Sequence, residues 1–536
     1  MSLPSRIKGF LREKTLRPGI NFQIRKMAEV VAKAAPPPDP HKFVISFNAS
    51  TRITGLSLNA AFAMLTGWSL RLQGVQVRSF VCQRGMTQCV LGTNKDDVYA
   101  LPPCRKCIKQ SETNYDRSAP IWLMPKNVPD LAAQVQDLEM SALMQFQYED
   151  IPLGPLCLPS IRWILRRHHL ENDEATRTLY RYYILSAYKV ARRFESVVTQ
   201  AKPTSVLVFN GMQFPEAAAR WVARRHDIPV YTHEVGMRPF SAFFTEGDAT
   251  AYPVDIPADF QLTPEQDAKL DDYLSKRFKG DFSMAGVQFW PEMSGLDEAF
   301  IAKMDRFEQV VPVFTNVIFD TSQPHANVIF DDMFTWLDDV LKVAATHLDT
   351  LFVIRAHPDE SRPGKASRES VADWAQRNAV SQLPNMVFIG PDEYFSSYEM
   401  IQRAKFVMIY NSTIGMEASI MGAPVLCAGK ARFTQLETVF FPQSREAYLR
   451  QLESFLAAEK VEALENHRIN ARRFLYYQLY RTSLPFDRFI ELDGIWPGYV
   501  RLKKFKWQEL LPENSPTLQV ISNGIMNGEP FILPEE

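Results

Sequence analysis

The stretch Phe406-Val-Met-Ile-Tyr-Asn-Ser-Thr-Ile-Gly-Met-Glu-Ala-Ser-Ile-Met-Gly-Ala-Pro-Val-Leu-Cys-Ala-Gly429 decides the reading of the chain. Residues 406–410 form an apolar run of strand length, Ser412 and Thr413 supply hydroxyls in a turn, and 414–421 carries a helical pattern. Gly422-Ala-Pro424 then turns into a further apolar run at 424–428. A strand, helix and strand in this succession make a parallel βαβ unit. The turn aims the helix's free N–H groups at the carboxyl end of the strand, which suits a phosphate. On this reading Ser412, Thr413 and Gly415 hold the phosphate, and Glu417, one turn further in, accepts from vicinal ribose hydroxyls. The competing reading is an ordinary serine cap with a first-turn glutamate favoured by the helix dipole.

The same alternation extends outward in both directions. Strands at 310–314, 351–355 and 386–389 and helices at 331–346 and 397–404 predict a Rossmann-like domain over 301–440. Strands at 43–47, 75–82, 205–209 and 229–232 with helices at 57–72 and 215–226 predict another over 41–255, interrupted by a helical insert at 128–200. The expected fold is α/β, two Rossmann-like domains facing a central crevice, with ligands at the carboxyl ends of the strands. Residues 256–300 read as a helical linker in which Thr263-Pro-Glu-Gln266 is a capping box, and 441–536 as helices followed by an aromatic-rich tail. Residues 1–40 read as a basic extension closed by Pro36-Pro-Pro-Asp-Pro40, a stiff linker that neither helix nor sheet accepts.

Composition removes several classes. With 60 Lys+Arg against 61 Asp+Glu, bulk electrostatic binding to nucleic acid is excluded as an expectation. Six cysteines in 536 residues do not make a secreted disulfide scaffold. The uncharged segment 53–70 contains Thr54, Gly55, Ser57, Asn59, Thr66 and Gly67, too polar for hydrocarbon, and reads as a buried helix. The N-terminus has basic residues but no continuous apolar core, so a signal peptide is not expected and the location reads as cytoplasmic. Phe10, Leu11, Ile20, Phe22 and Ile24 are interspersed with the basic residues there. They allow either a solvated basic helix or a peripheral contact with the inner face of the membrane, to which the stretch 162–167 would contribute arginines.

The common phosphate-loop, dinucleotide, zincin and hydrolase fingerprints are missing. Two further strand ends carry chemistry. Leu351-Phe-Val-Ile-Arg-Ala-His-Pro-Asp-Glu360 delivers Arg355 and His357, the latter suited to protonating a leaving phosphate oxygen. Tyr231-Thr-His-Glu-Val-Gly-Met-Arg238 places a loop from His233 onward, with Glu234 a general base or a plain surface carboxylate and Gly236 permitting close approach. Asn210 and Gly211, after the preceding strand, line the same crevice.

Together Glu234-Val-Gly236, His357-Pro358 and Ser412-Thr413 resemble the motifs of GT-B glycosyltransferases of bacterial capsule and surface-polysaccharide assembly, the group related to Kdo-transferases and sialyltransferases. The likeness extends to Phe314-Thr-Asn-Val-Ile-Phe-Asp320 and covers about residues 41–480. It implies inverting transfer from a nucleotide-sugar donor, CMP-linked by preference, to a surface-glycan, lipid- or protein-linked acceptor, with no cofactor required. Glu234 would deprotonate the acceptor, His357 would stabilise the departing phosphate, and Ser412, Thr413 and Glu417 would hold the nucleotide. A single acid precedes Gly236 where sialyltransferases usually carry two, so His233 stands as a second candidate base. Other readings are a nucleotide-sugar 2-epimerase of the UDP-GlcNAc type and a non-catalytic partner in polysaccharide assembly. Separately, Cys82, Cys89, Cys104 and Cys107 are spaced for one zinc ion or an iron–sulfur cluster, although the first gap is longer than a zinc ribbon has; reduced loop thiols are the alternative.

Overall fold

The structure, a computed structural model, describes all residues except 1–2, 51–52, 279–282, 285–286, 289–293 and 536. Strands β1 (Asp39–Phe47), β2 (Val75–Cys82), β3 (Ile121–Leu123), β4 (Ser205–Phe209), β5 (Val230–Val235) and β6 (Ser241–Glu246) share one sheet in the order β3-β2-β1-β4-β5-β6. All neighbours in it are parallel except β5 with β6 and β6 with the edge strand Leu484–Pro485. A second sheet holds β7 (Gln309–Phe314), β8 (Thr350–Arg355), β9 (Met386–Ile389), β10 (Val407–Ile409) and β11 (Val425–Cys427), all parallel, in the order β9-β8-β7-β10-β11. Each sheet is doubly wound, so the chain is two Rossmann-like domains. Strand order reverses between β1 and β4 in one and between β7 and β10 in the other, and that reversal opens a crevice at the strands' carboxyl ends.

The helices follow from burial. Helix α1 spans Leu3–Ala34 and α2 spans Leu58–Leu72, capped by Ser57 Oγ, which accepts from the Ala60 N–H at 3.2 Å. Twelve residues of α2 are buried, so the uncharged segment is a core helix of the first domain. Among the described residues, no helix is long and apolar enough to cross a membrane. Helices α3 (Cys104–Asn114), α4 (Leu153–Leu165) and α5 (Glu174–Ala201) belong to the insertions, and α6 (Phe214–Arg225) connects β4 to β5. Helix α7 (Pro264–Phe278) begins at the expected capping box: Gln266 N–H donates to Thr263 Oγ1 at 3.3 Å, and Thr263 N–H donates to Gln266 Oε1 at 3.0 Å.

Three expectations change. Pro40 lies inside β1, not in a linker; the register slips between Asp39 and Phe43, and this irregularity accommodates a residue with no N–H to give. The chain ends are not appendages. Ile20, Ile24, Ala28 and Val31 form one buried stripe of α1, in a core shared with Ile490, Val500, Leu518 and Ile521 from the tail. Arg17 Nη2 donates to the buried Asp493 carboxylate at 3.0 Å, and Leu484–Pro485 pairs antiparallel with β6. Thus both termini complete the first domain, while Phe10, Leu11 and Phe22 remain exposed. Finally, the stretch 162–167 faces protein. The buried Arg166 guanidinium lies 4.2 Å from the Trp163 ring centroid and 5.0 Å from that of Phe319, bridging the domains.

Candidate functional site

At the reversal point of the second sheet, the carboxyl ends of β7, β8 and β10 open on a cavity of ≈ 90 Å³ walled by Thr315, Arg355, His357, Ser412, Thr413 and Glu417. Pro358 turns the chain after β8, and His357 Nδ1 accepts from the Asp359 N–H at 3.1 Å. That bond leaves the proton of the neutral ring on Nε2, a donor available to a ligand oxygen. Burial holds the His357 pKa below the usual histidine value, opposed by the charges of Asp359 and Asp320. Arg355 is buried, its pKa lowered to about 10 by burial, and its Nη1 donates to the Gly390 carbonyl at 3.3 Å and to that of Glu393. It therefore fastens the loop after β9 while keeping positive charge at the cavity wall.

The turn after β10 leads into helix α8 (Ile414–Ile420), only seven residues long. Thr413 stands at its N-cap with no side-chain capping bond, so its hydroxyl is not consumed by the helix. Gly415 does not line the cavity. A β-carbon there would lie 2.2 Å from Ile409 Cδ1, so the glycine lets α8 pack onto β10 rather than contacting a phosphate. Glu417 does line the cavity but is itself partnered. Arg277 Nε, arriving from α7, donates to its Oε1 at 2.7 Å, and the Tyr398 hydroxyl donates to its Oε2 at 2.6 Å. Both side chains of this ion pair are nearly inaccessible, at 10% and 2% exposed. A carboxylate so held is oriented by its partners, and only its remaining lone pairs are open to a ligand.

The first sheet's reversal point opens on a cleft of ≈ 410 Å³. Glu234 lines it, accepting from Asn210 Nδ2 at 2.9 Å, Asn59 Nδ2 at 3.3 Å and the Val235 N–H at 2.8 Å. Burial raises its pKa despite these donors, which favours a proton-accepting role. Asn210, at φ 60°, is thus a positioner of Glu234, whereas Gly211 stays outside the cleft. Gly236 lines it, and a β-carbon there would fall 2.4 Å from Ser241 Oγ, so the tight β5–β6 turn needs glycine.

His233 is a correction. The expected loop begins too early: β5 runs on to Val235, with His233 opposite Phe244 and Glu234 opposite Phe243. Successive strand residues face opposite sides of the sheet, so the two cannot share a site. His233 is 1% exposed, stacks on Phe244 at 5.2 Å, and burial lowers its pKa to about 3. It is a core histidine, not a base.

The sequence reading also missed residues. Glu216, at the start of α6, is buried with one carboxylate oxygen unpartnered, accepts from the Ser50 hydroxyl, and has its pKa raised to about 7 by burial. Both flank the β1/β4 reversal, a position that the strand assignments already implied. Arg277 had no local signal. From the second domain, Asp320, Lys365 and Arg432 reach the same cleft, and the Arg432 guanidinium lies 4.1 Å from the Tyr252 ring centroid. The charge of Asp320, which lines this cleft, acts on both Glu234 and His357. The four cysteines gather round a separate cavity behind this cleft.

Residues 301–437 match the family described as "Capsule polysaccharide biosynthesis protein". This segment contains β7 to β11 and every residue assigned to the second-domain cavity except Arg277. Among curated proteins none matches the chain. Among solved structures, the chain is similar to a Thermosulfurimonas dismutans KpsC beta Kdo 2,4 transferase, with 12% identity and a TM-score of 0.35, over 52% of this chain and 80% of that one. A beta Kdo 2,7 transferase of the same organism gives 14% identity and 0.30, over 53% and 80%. A Neisseria meningitidis UDP-GlcNAc 2-epimerase bound to UDP-GlcNAc gives 14% identity and 0.26, over 81% and 98%.

Proposed function

We propose that this chain is a GT-B glycosyltransferase that moves a sugar from a nucleotide-activated donor, CMP-linked by preference, to a hydroxyl of a surface-glycan, lipid- or protein-linked acceptor. The observation that carries the reading is a poised carboxylate, Glu234, in a cleft that Asp320, Lys365 and Arg432 of the second domain help to line, together with a neutral N–H donor, His357, in the second-domain cavity; the charge of Asp320 acts on both. The match of residues 301–437 to a capsule-biosynthesis family supports a surface glycan as the product.

The acceptor oxygen forms a bond to the anomeric carbon while the bond from that carbon to the phosphate oxygen breaks, its electron pair leaving with the nucleotide. The acceptor proton passes to Glu234, whose raised pKa strengthens it as a base. His357 Nε2–H, with Ser412 and Thr413, meets the charge growing on the phosphate. Attack from the Glu234 side and departure on the His357 side make the outcome inversion. Glu417, held by Arg277 and Tyr398, accepts from a ribose hydroxyl.

A thermal-shift panel of CMP, UDP, GDP and ADP tests the reading, since a nucleotide that binds the folded state raises Tm by mass action. CMP stabilises the wild type and Glu234→Gln alike, while Glu234→Gln lowers sugar transfer by about 10²–10⁴-fold. Selective stabilisation by UDP, with turnover of UDP-GlcNAc without acceptor, would replace the transferase by an epimerase. If no nucleotide binds at millimolar concentration, the enzymatic reading falls.

A further inference from the structure

Behind the acceptor-side wall of the cleft lies a second, largely apolar cavity of ≈ 30 Å³. All four cysteines that the spacing singled out line it. They come from three places: Cys82 from the last residue of β2, Cys89 from the turn before a short helix at Val90–Gly92, and Cys104 with Cys107 from the first turn of α3. Chain separation is closed only by the fold, yet Cys82, Cys104 and Cys107 all act electrostatically on Cys89, Cys82 and Cys104 act on Cys107, and none is in a disulfide.

Burial in this apolar setting pushes the Cys82, Cys89 and Cys107 thiols up, so negative charge on these sulfurs needs a bound cation to offset it. The backbone N–H groups of Met86, Gly85 and Arg84 act on the Cys82 sulfur, while that of Gly92 donates to the Cys89 carbonyl at 3.1 Å. The Ser111 hydroxyl is 1% exposed, has no hydrogen-bond partner and faces Cys107. A neutral thiol in an apolar cavity has little use for such donors, whereas a metal-bound thiolate is stabilised by them. Two glycines let the backbone come this close. A β-carbon at residue 92 would lie 2.9 Å from Cys89 Sγ and 2.6 Å from Pro102 Cβ, and one at residue 85 would lie 2.4 Å from Leu123 Cγ.

We infer that Cys82, Cys89, Cys104 and Cys107 hold a thiolate-ligated metal centre. A single tetrahedral zinc, with Zn–S of about 2.3 Å, draws its sulfurs to about 3.8 Å from one another. Among the described residues, only His168, His169 and Asp332 gather ligand atoms within 4.8 Å of one another. The cysteines instead ring an open space, the arrangement that a polynuclear iron–sulfur cluster fills. The centre's role is structural with respect to the crevice. Ser50 and Leu91 line both cavities, and Ser50 holds Glu216, so the centre braces the loop that shapes the acceptor side.

The test is independent of any transfer activity. Full-length protein purified without oxygen is assayed for iron, acid-labile sulfide and zinc, and for visible absorbance. Iron and sulfide in equal amounts, about four of each per chain, are expected, and are lost together in Cys104→Ser and in Cys107→Ser. Should those variants fail to fold, alkylation of the native wild type supplies the second measurement: the four cluster thiols become reactive only after metal removal. One zinc per chain, lost in the same variants, upholds the thiolate centre and overturns the iron–sulfur assignment. A metal-free protein, or metal that persists in both variants, overturns the centre altogether.

Discussion

Arg277→Met is the most informative single perturbation of the second-domain cavity. The Glu417 side chain is 2% exposed, and Arg277 is its only cationic hydrogen-bond partner among the described residues. Removing one member of a buried ion pair costs about 3–5 kcal/mol, because the other charge stays buried without compensation. Tyr398 keeps its bond to the second carboxylate oxygen, which puts the loss near the lower end, about 3 kcal/mol. For a domain of about 200 residues each kcal/mol moves Tm by about 2–4 °C, so the second domain should melt about 6–12 °C earlier. The companion double variant, Arg277→Met with Glu417→Gln, removes the orphaned charge and should recover most of that loss. Differential scanning calorimetry of wild type, both singles and the double reads the cycle. An Arg277→Met transition within about 2 °C of wild type would refute the burial argument. A double variant no more stable than Arg277→Met would show that the arginine acts through packing rather than through Glu417.

Two titrations follow from the geometry. His169 lies 3.4 Å from the Asp332 carboxylate and hydrogen-bonds to Glu369, both of the second domain, and these raise its pKa to about 10. Since the folded pKa exceeds the unfolded value of about 6.5, the contact is fully present below that value and is lost as pH rises through about 10. Limited proteolysis between the domains should accelerate over that window in wild type, whereas His169→Gln should show no such rise. Glu216 runs in the opposite sense for a carboxyl: its folded pKa of about 7 exceeds the ordinary 4.5, so the folded state binds more protons between these values. Stability therefore falls as pH climbs through that window, by about 3 kcal/mol in total. Glu216→Gln should flatten this dependence and melt higher than wild type in alkaline buffer; a lower melting point there would mean that the ionised carboxylate is stabilised by its surroundings.

The legible part of this protein is the part whose physics is local. Apolar runs of strand length, helical periodicity and the Thr263–Gln266 capping box each depend on residues a few positions apart, and most appear in the structure with shifts of one or two residues, although β1 starts four residues earlier and β5 ends three residues later than expected. The strand-end motifs were legible for the same reason: a residue just past a parallel strand is carried to the crevice whatever the rest of the chain does, and so His357, Ser412 and Thr413 line the second-domain cavity, whereas Glu234 reaches its cleft from within β5. The missed β6 shows the limit. Without it the end of β5 read as a loop, and a strand two or three residues longer assigns His233 and Glu234 to opposite faces. Gly415 was read as part of the phosphate site, when its neighbour across the α8–β10 contact decides its role. Tertiary structure alone brought Arg277 to Glu417, Arg17 to Asp493, Ser50 to Glu216 and four cysteines to one cavity. The three pairs join residues from 140 to 476 positions apart. No periodicity encodes them, because the partner is selected by how whole layers pack, and only the assembled core determines which buried charge meets which.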